Sequence, residues 1–112
     1  MSKSNNPGAA QRVSQVEALK VSATYKKNIT TTSQTFADLI GTDLGDDVGC
    51  VEVSNESGNT IVFNNGAAVS GTHAEIVTGK SYPFYGRKTD LDEIQLIAGS
   101  TSAVSIIVHS AI

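Results

Sequence analysis

The sequence predicts an all-β fold: a small antiparallel β-sandwich or barrel, jelly-roll-like, of about seven or eight short strands. Three observations lead there. Runs that alternate apolar and polar residues recur along the chain, as in Leu19 to Tyr25 and Val104 to Val108. Turn residues separate the runs at Glu56-Ser57-Gly58-Asn59, Asn64-Asn65-Gly66, Gly79-Lys80 and Gly99-Ser100-Thr101-Ser102. Charged residues are only 17% and apolar residues 39%, with the balance in Ser, Thr, Asn and Gly; that suits strands and turns better than a helix bundle.

Taken in order, residues 1–14 are small and polar, with Pro7, Gly8 and only Val13 as a sizeable apolar group. They bury too little to offset ordering entropy, so a flexible N-terminal arm is expected. Residues 15–112 form the sandwich domain. Val16 to Tyr25 reads as a half-buried strand, and Lys26 to Thr35 as a loop or edge strand. Phe36, Leu39 and Ile40 then recur at helical spacing, with Thr35 placed as N-cap and Gly41 as the stop. One short helical turn is expected there, followed by an acidic loop from Thr42 to Asp47.

Val48–Asn55, Thr60–Phe63, His73–Val77 and Ser81–Tyr85 follow as strands, Pro83 placing the last at an edge or bulge. Gly86 to Thr89 is a link. The segments Asp90–Ala98 and Ala103–Ile112 flank a four-residue turn cluster and read as a terminal hairpin. Ile94, Leu96 and Ala98 share one face with Val104, Ile106 and Val108. The other face carries Ile97 and Ile107 beside Glu93, Gln95, Ser105 and His109. Strands that are apolar on both faces are covered on both faces. With Val62 on the outer side of its strand and Tyr85 opposite Tyr82 and Phe84, these residues mark a candidate subunit interface: Val62, Tyr85, Ile97 and Ile107.

Several function classes find no support. The net charge of −3 does not suit a nucleic-acid binder. No apolar run reaches the ~18 residues of a membrane helix, and the first residues hold no signal-like apolar core. The single cysteine, Cys50, excludes an intrachain disulfide and a cysteine-cluster metal site. Asp43, Asp46 and Asp47 do not follow the calcium-loop spacing. Neither His73, His109 nor Cys50 sits in a hydrolase signature, and there is no phosphate loop. No enzyme activity, metal or cofactor is expected.

Four stretches carry a family resemblance: Val51-Glu-Val-Ser-Asn-Glu-Ser-Gly-Asn-Thr-Ile-Val, Gly79-Lys-Ser-Tyr-Pro-Phe-Tyr-Gly, Asp90-Leu-Asp-Glu-Ile-Gln-Leu-Ile-Ala and Val104-Ser-Ile-Ile-Val. In them the chain resembles the small β-sandwich structural proteins of tailed-bacteriophage virions. The resemblance implies a non-enzymatic virion component, foremost a capsid decoration (cement) protein assembled in the host cytoplasm. It would act as a homo-oligomer, a trimer being favoured, with the major capsid protein as partner and neither nucleic acid nor membrane involved. Lys3 and Arg12 of the arm, with Lys26 and Lys27, are the candidate shell contacts. A neck, tail or head-fibre base component is the second expectation. The third is a carbohydrate- or ligand-binding module using Tyr82, Tyr85 and Asn64-Asn65.

Overall fold

The computed structural model describes residues 19–69 and 73–111; the expected arm, residues 1–14, lies outside them. The elements are β1 (Leu19–Ile29), β2 (Gln34–Thr35), α1 (Phe36–Ile40), β3 (Val48–Asn55), β4 (Ile61–Asn65), β5 (Ala74–Ile76), β6 (Ser81–Tyr85), α2 (Lys88–Leu91), β7 (Ile94–Ala98) and β8 (Ser102–Ala111). Pairing is nested: β1 with β8, β2 with β7, β3 with β6 and β4 with β5, all antiparallel. Such a chain is one long double ribbon folded at the β4–β5 connection. Rolling the ribbon adds β8 to β3 and β7 to β4. Two four-stranded sheets result, ordered β1-β8-β3-β6 and β2-β7-β4-β5, the jelly-roll arrangement of an all-β sandwich.

The terminal hairpin expected from the sequence does not form. β7 and β8 lie in different sheets, joined by an arch over Gly99 to Thr101. The reason is burial. Side by side in one sheet, Ile94, Leu96 and Ala98 would face the same way as Val104, Ile106 and Val108 and need a separate cover. Across the sandwich the two walls cover each other, and all but the partly buried Ile94 are buried. The first strand also runs further than expected, pairing with β8 from Leu19 through Lys26, Lys27 and Asn28 to Ile29.

The helical turn forms as expected. Thr35 Oγ1 accepts from Asp38 N at 3.1 Å, and the Asp38 carboxylate accepts from Thr35 N at 3.2 Å. Gly41 closes it at φ 82°, a conformation that favours glycine. A second turn, α2, stands where a link and strand start were expected. Asp90 Oδ2 accepts from Arg87 N at 3.4 Å, and the turn buries Leu91. Phe36, Phe63 and Phe84 bring α1 and both sheets together: Phe84 lies 5.4 Å from Phe36 and 4.8 Å from Phe63, each pair edge to face.

The end of the sandwich where β3, β5 and β7 leave their sheets is held by polar side chains. Asn55, 1% exposed, donates from Nδ2 to Asn59 O (2.7 Å) and Ile76 O (2.9 Å), and its Oδ1 accepts from Ser57 N and Oγ. Asn59 Nδ2 reaches the buried Ser102 Oγ at 3.2 Å, which donates to Ser100 O at 2.8 Å. This network satisfies backbone groups in the β3–β4 and β7–β8 connections and at the end of β5.

Every sheet edge is blunted. β2 and β5 are two and three residues long. β1 carries Lys20, Lys26 and Lys27 and a bulge at Ser22. On β6, Asn55 N to Lys80 O and Gly86 N to Gly49 O set the ladder phase, so the backbones of Ser81, Pro83 and Tyr85 turn to the free edge. Pro83 therefore removes a donor from the edge at no cost to the ladder.

Two substitutions test this account by urea unfolding. Leu96→Ala, at a fully buried position, should cost about 2–5 kcal/mol. Asn55→Asp aims a carboxylate oxygen at two carbonyls and should cost at least about 2 kcal/mol; a variant as stable as the parent would remove the polar network from the account.

Candidate functional site: an outer sheet face

On the β1-β8-β3-β6 sheet, Val51, Val53, Phe84, Val104, Ile106 and Val108 point into the core. Their neighbours point outward, and the register sets them in rows. Tyr85, Cys50, His109 and Val21 make one row; Pro83, Glu52, Ile107 and Thr24 the next; Ser81, Ser54, Ser105 and Lys26 the third. The first two rows carry apolar bulk, and the third is polar.

Two bulges shape the apolar end. On β1 the extra residue is Ser22, whose hydroxyl bonds Val108 O at 3.2 Å and Ser110 Oγ at 3.0 Å. On β3 it is Gly49, and Leu19 reaches past β8 to lie on it. A Cβ at Gly49 would stand 2.5 Å from Leu19 Cδ2, so a larger residue there would push the end of the Leu19 side chain aside. Leu19, Cys50, Glu52, Pro83, Tyr85 and His109 then line a shallow groove of about 310 Å³. Tyr85 is 67% exposed at its rim, and Cys50, 4% exposed, is its floor. Glu52 Oε1 lies 3.5 Å from His109 Nε2, an ion pair only when the imidazole is protonated. Burial, and secondarily the Glu52 charge, pushes the Cys50 thiol pKa up, so it holds its proton.

The polar end is occupied by its own contacts. Lys26 Nζ reaches the two Glu56 carboxylate oxygens at 2.9 and 3.0 Å, and Ser105 Oγ donates to Glu56 Oε2 at 2.7 Å. The Ser105 hydroxyl and then Lys26 hold the Glu56 carboxyl below its usual range. Lys26 is thus engaged within the chain, whereas Lys27 is exposed on the edge strand. Lys3 and Arg12 lie outside the described residues.

The four candidate interface residues divide between opposite faces. Tyr85 and Ile107 belong to this one. Val62 and Ile97 are cross-strand partners on the outer face of the other sheet. There the segment after β4 folds back: Asn64 Nδ2 donates to Ala67 O (2.9 Å), Ala68 N to Ser33 Oγ (3.0 Å), and Ser33 Oγ to Gln95 Oε1 (2.8 Å). Val62 is only 3% exposed and offers no surface to a neighbour, contrary to expectation. The sequence placed Ile97 and Ile107 on one doubly apolar hairpin; the arch sends them to opposite sides of the sandwich. The grouping of Tyr82, Tyr85 and Asn64-Asn65 also fails. Tyr82 faces inward against Phe63 and Phe84, each with ring centroids 4.7 Å away, and Asn64 belongs to the other sheet.

Sequence reasoning missed the groove. Its signal was present as outward positions on β3, β6 and β8, but the pairing of Glu52 with His109 needs the β3–β8 register, which no local pattern reports. Asp43, Asp46 and Asp47 lie exposed in the loop after α1, and among the described residues no cluster of three or more His, Cys, Asp or Glu side chains is placed to hold a metal. No helix among them is long and apolar enough to cross a membrane.

No family model matches the chain, and no curated protein matches it. Among solved structures it is similar to a chain from the Bacillus endospore appendages described as a novel family of disulfide-linked pili. Identity is 21%, the match covers 80% of this chain and 84% of that one, and the TM-score is 0.42.

The protected thiol gives a direct test. Native Cys50 should react with a maleimide at pH 8 at least tenfold more slowly than the urea-unfolded chain, since it is buried and protonated. Its folded pKa is raised, so stability should fall as pH rises through and above the ordinary thiol range, and Cys50→Ala should flatten that slope. A slope unchanged by Cys50→Ala would assign the loss to other groups.

Proposed function

We propose that the chain is a non-enzymatic structural protein of a virus particle, a capsid decoration protein that docks through the outer face of the β1-β8-β3-β6 sheet and works as a homo-oligomer. The observation that carries this reading is the apolar end of that face. Val21 is 57% exposed and Tyr85 67%, and Leu19, Pro83 and Ile107 join them on one side of a single sheet. Apolar groups left exposed on one face of a sheet in this way favour association.

The blunted edges favour the same conclusion from another side. They oppose association by strand addition, so the faces are left to carry it. The jelly roll is an architecture of viral capsid and lectin domains, which is compatible with this reading but assigns nothing by itself. Each face is small, so attachment to a repetitive shell would gain from several copies acting together through effective concentration. A thiol nucleophile at Cys50 is disfavoured by the proton it retains, and the role needs no cofactor. The partner is a major capsid protein, with neither nucleic acid nor membrane involved.

Light scattering of the full chain should give a mass that is a multiple of 11.7 kDa. The chain should co-sediment with shells assembled from the capsid protein of the same genome. The double variant Val21→Ser, Tyr85→Ser should keep the fold and lose at least tenfold in shell binding. A monomer that ignores the shells, or a variant that binds as the parent does, overturns the proposal.

A further inference from the structure

Within that face, the groove has a chemistry the apolar rows do not explain. Its one carboxylate is Glu52, on the central strand β3, with its side chain about one-third exposed. Among the described residues Glu52 accepts no hydrogen bond from any side chain, and the His109 imidazole 3.5 Å away pairs with it as an ion only when protonated. The remaining lining is Leu19 and Pro83 as apolar walls, Cys50 as floor and the exposed Tyr85 ring at the rim. The groove therefore presents an anion at its base and an aromatic ring at its mouth, and neither Lys nor Arg lines it.

We propose that this groove receives a lysine or arginine side chain of the partner protein, its aliphatic stem against Leu19 and Pro83, its cation on Glu52 and under the Tyr85 ring. The inference rests on the docking reading above and names the chemistry of the contact. An apolar side chain would strip water from Glu52 and give nothing back, which costs more than the burial returns. An acidic one would meet a like charge. A basic side chain satisfies all three features at once: long stems cover apolar surface, the charged head pairs with carboxylate, and aromatic faces attract cations. The raised Cys50 pKa is consistent, because part of it comes from the Glu52 charge acting in the groove. Charge complementarity supplies the argument for the occupant: the chain carries net −3, and Lys26, the basic residue aligned with the outward rows of this face, is already paired with Glu56.

The test uses the full ¹⁵N-labelled chain, titrated separately with N-acetyl-lysine amide, N-acetyl-arginine amide and the uncharged N-acetyl-norleucine amide. The two basic probes should shift amides at Cys50, Glu52, Tyr85 and His109, and norleucine should not. Glu52→Gln should weaken the basic probes at least tenfold while leaving the remaining spectrum in place; Tyr85→Ser should weaken them as well. Equal shifts with norleucine, no shifts with either basic probe, or full binding by Glu52→Gln overturns the proposal. Shell co-sedimentation separates the two levels. If Tyr85→Ser releases the chain from shells and Glu52→Gln does not, the docking face stands and the basic contact falls. If neither variant changes shell binding, the docking reading itself falls, whatever the probes report.

Discussion

The fold depends on satisfying polar backbone where the two sheets exchange strands. A jelly roll sends nearly every connection from one sheet to the other, so its ends collect carbonyl and amide groups that the ladders cannot use. Asn55 answers this at one end. It is almost fully buried, all four of its side-chain hydrogen bonds go to groups within the chain, and two of them reach carbonyls in the β3–β4 connection and on β5. The same residue ends β3, so it fixes where that central strand stops. The outward residues Cys50, Glu52 and Ser54 lie on the same strand, and their placement is set by its register with β8 and β6.

Edges and faces then divide the work of keeping the protein specific. Pro83 turns a missing donor outward, β2 and β5 are too short to template a partner, and lysines and a bulge guard β1. What remains available is side-chain chemistry on a face, which is read by shape and charge rather than by generic backbone pairing. On one face Val62 is buried, and the segment after β4 folds back to bond Asn64 and Ser33; on the other Tyr85 and Val21 stand exposed.

Much of this was legible in the chain. Thr35, Phe36, Leu39, Ile40 and Gly41 gave the helical turn with both caps, because each of those signals is local. Alternation gave the shared faces of Ile94, Leu96 and Ala98 on β7 and of Val104, Ile106 and Val108 on β8 correctly. It could not say whether β7 and β8 sit side by side or across the core, since both arrangements use the same parity. Length misled at β1, where Lys26, Lys27 and Asn28 look like loop but pair with β8 as an edge strand that tolerates charge. Leu91 gave little warning of α2, a lone apolar residue whose burial is decided by tertiary contact. The groove depends on register between strands more than fifty residues apart in sequence, such as Glu52 and Ile107, and no window along the chain contains that information.

The nested pairing also bears on synthesis. β8 lies between β1 and β3, so the sheet that carries the groove has a vacancy at its centre until β8 has left the ribosome. Earlier strands wait with their inner faces wet, and closing the sheet joins Leu19 to Ala111 across almost the whole described chain. Folding of this half therefore waits for β8 and is slow relative to local structure. Without β8 the rows Tyr85-Cys50-His109-Val21 and Pro83-Glu52-Ile107-Thr24 are unassembled, and the groove has no wall from His109.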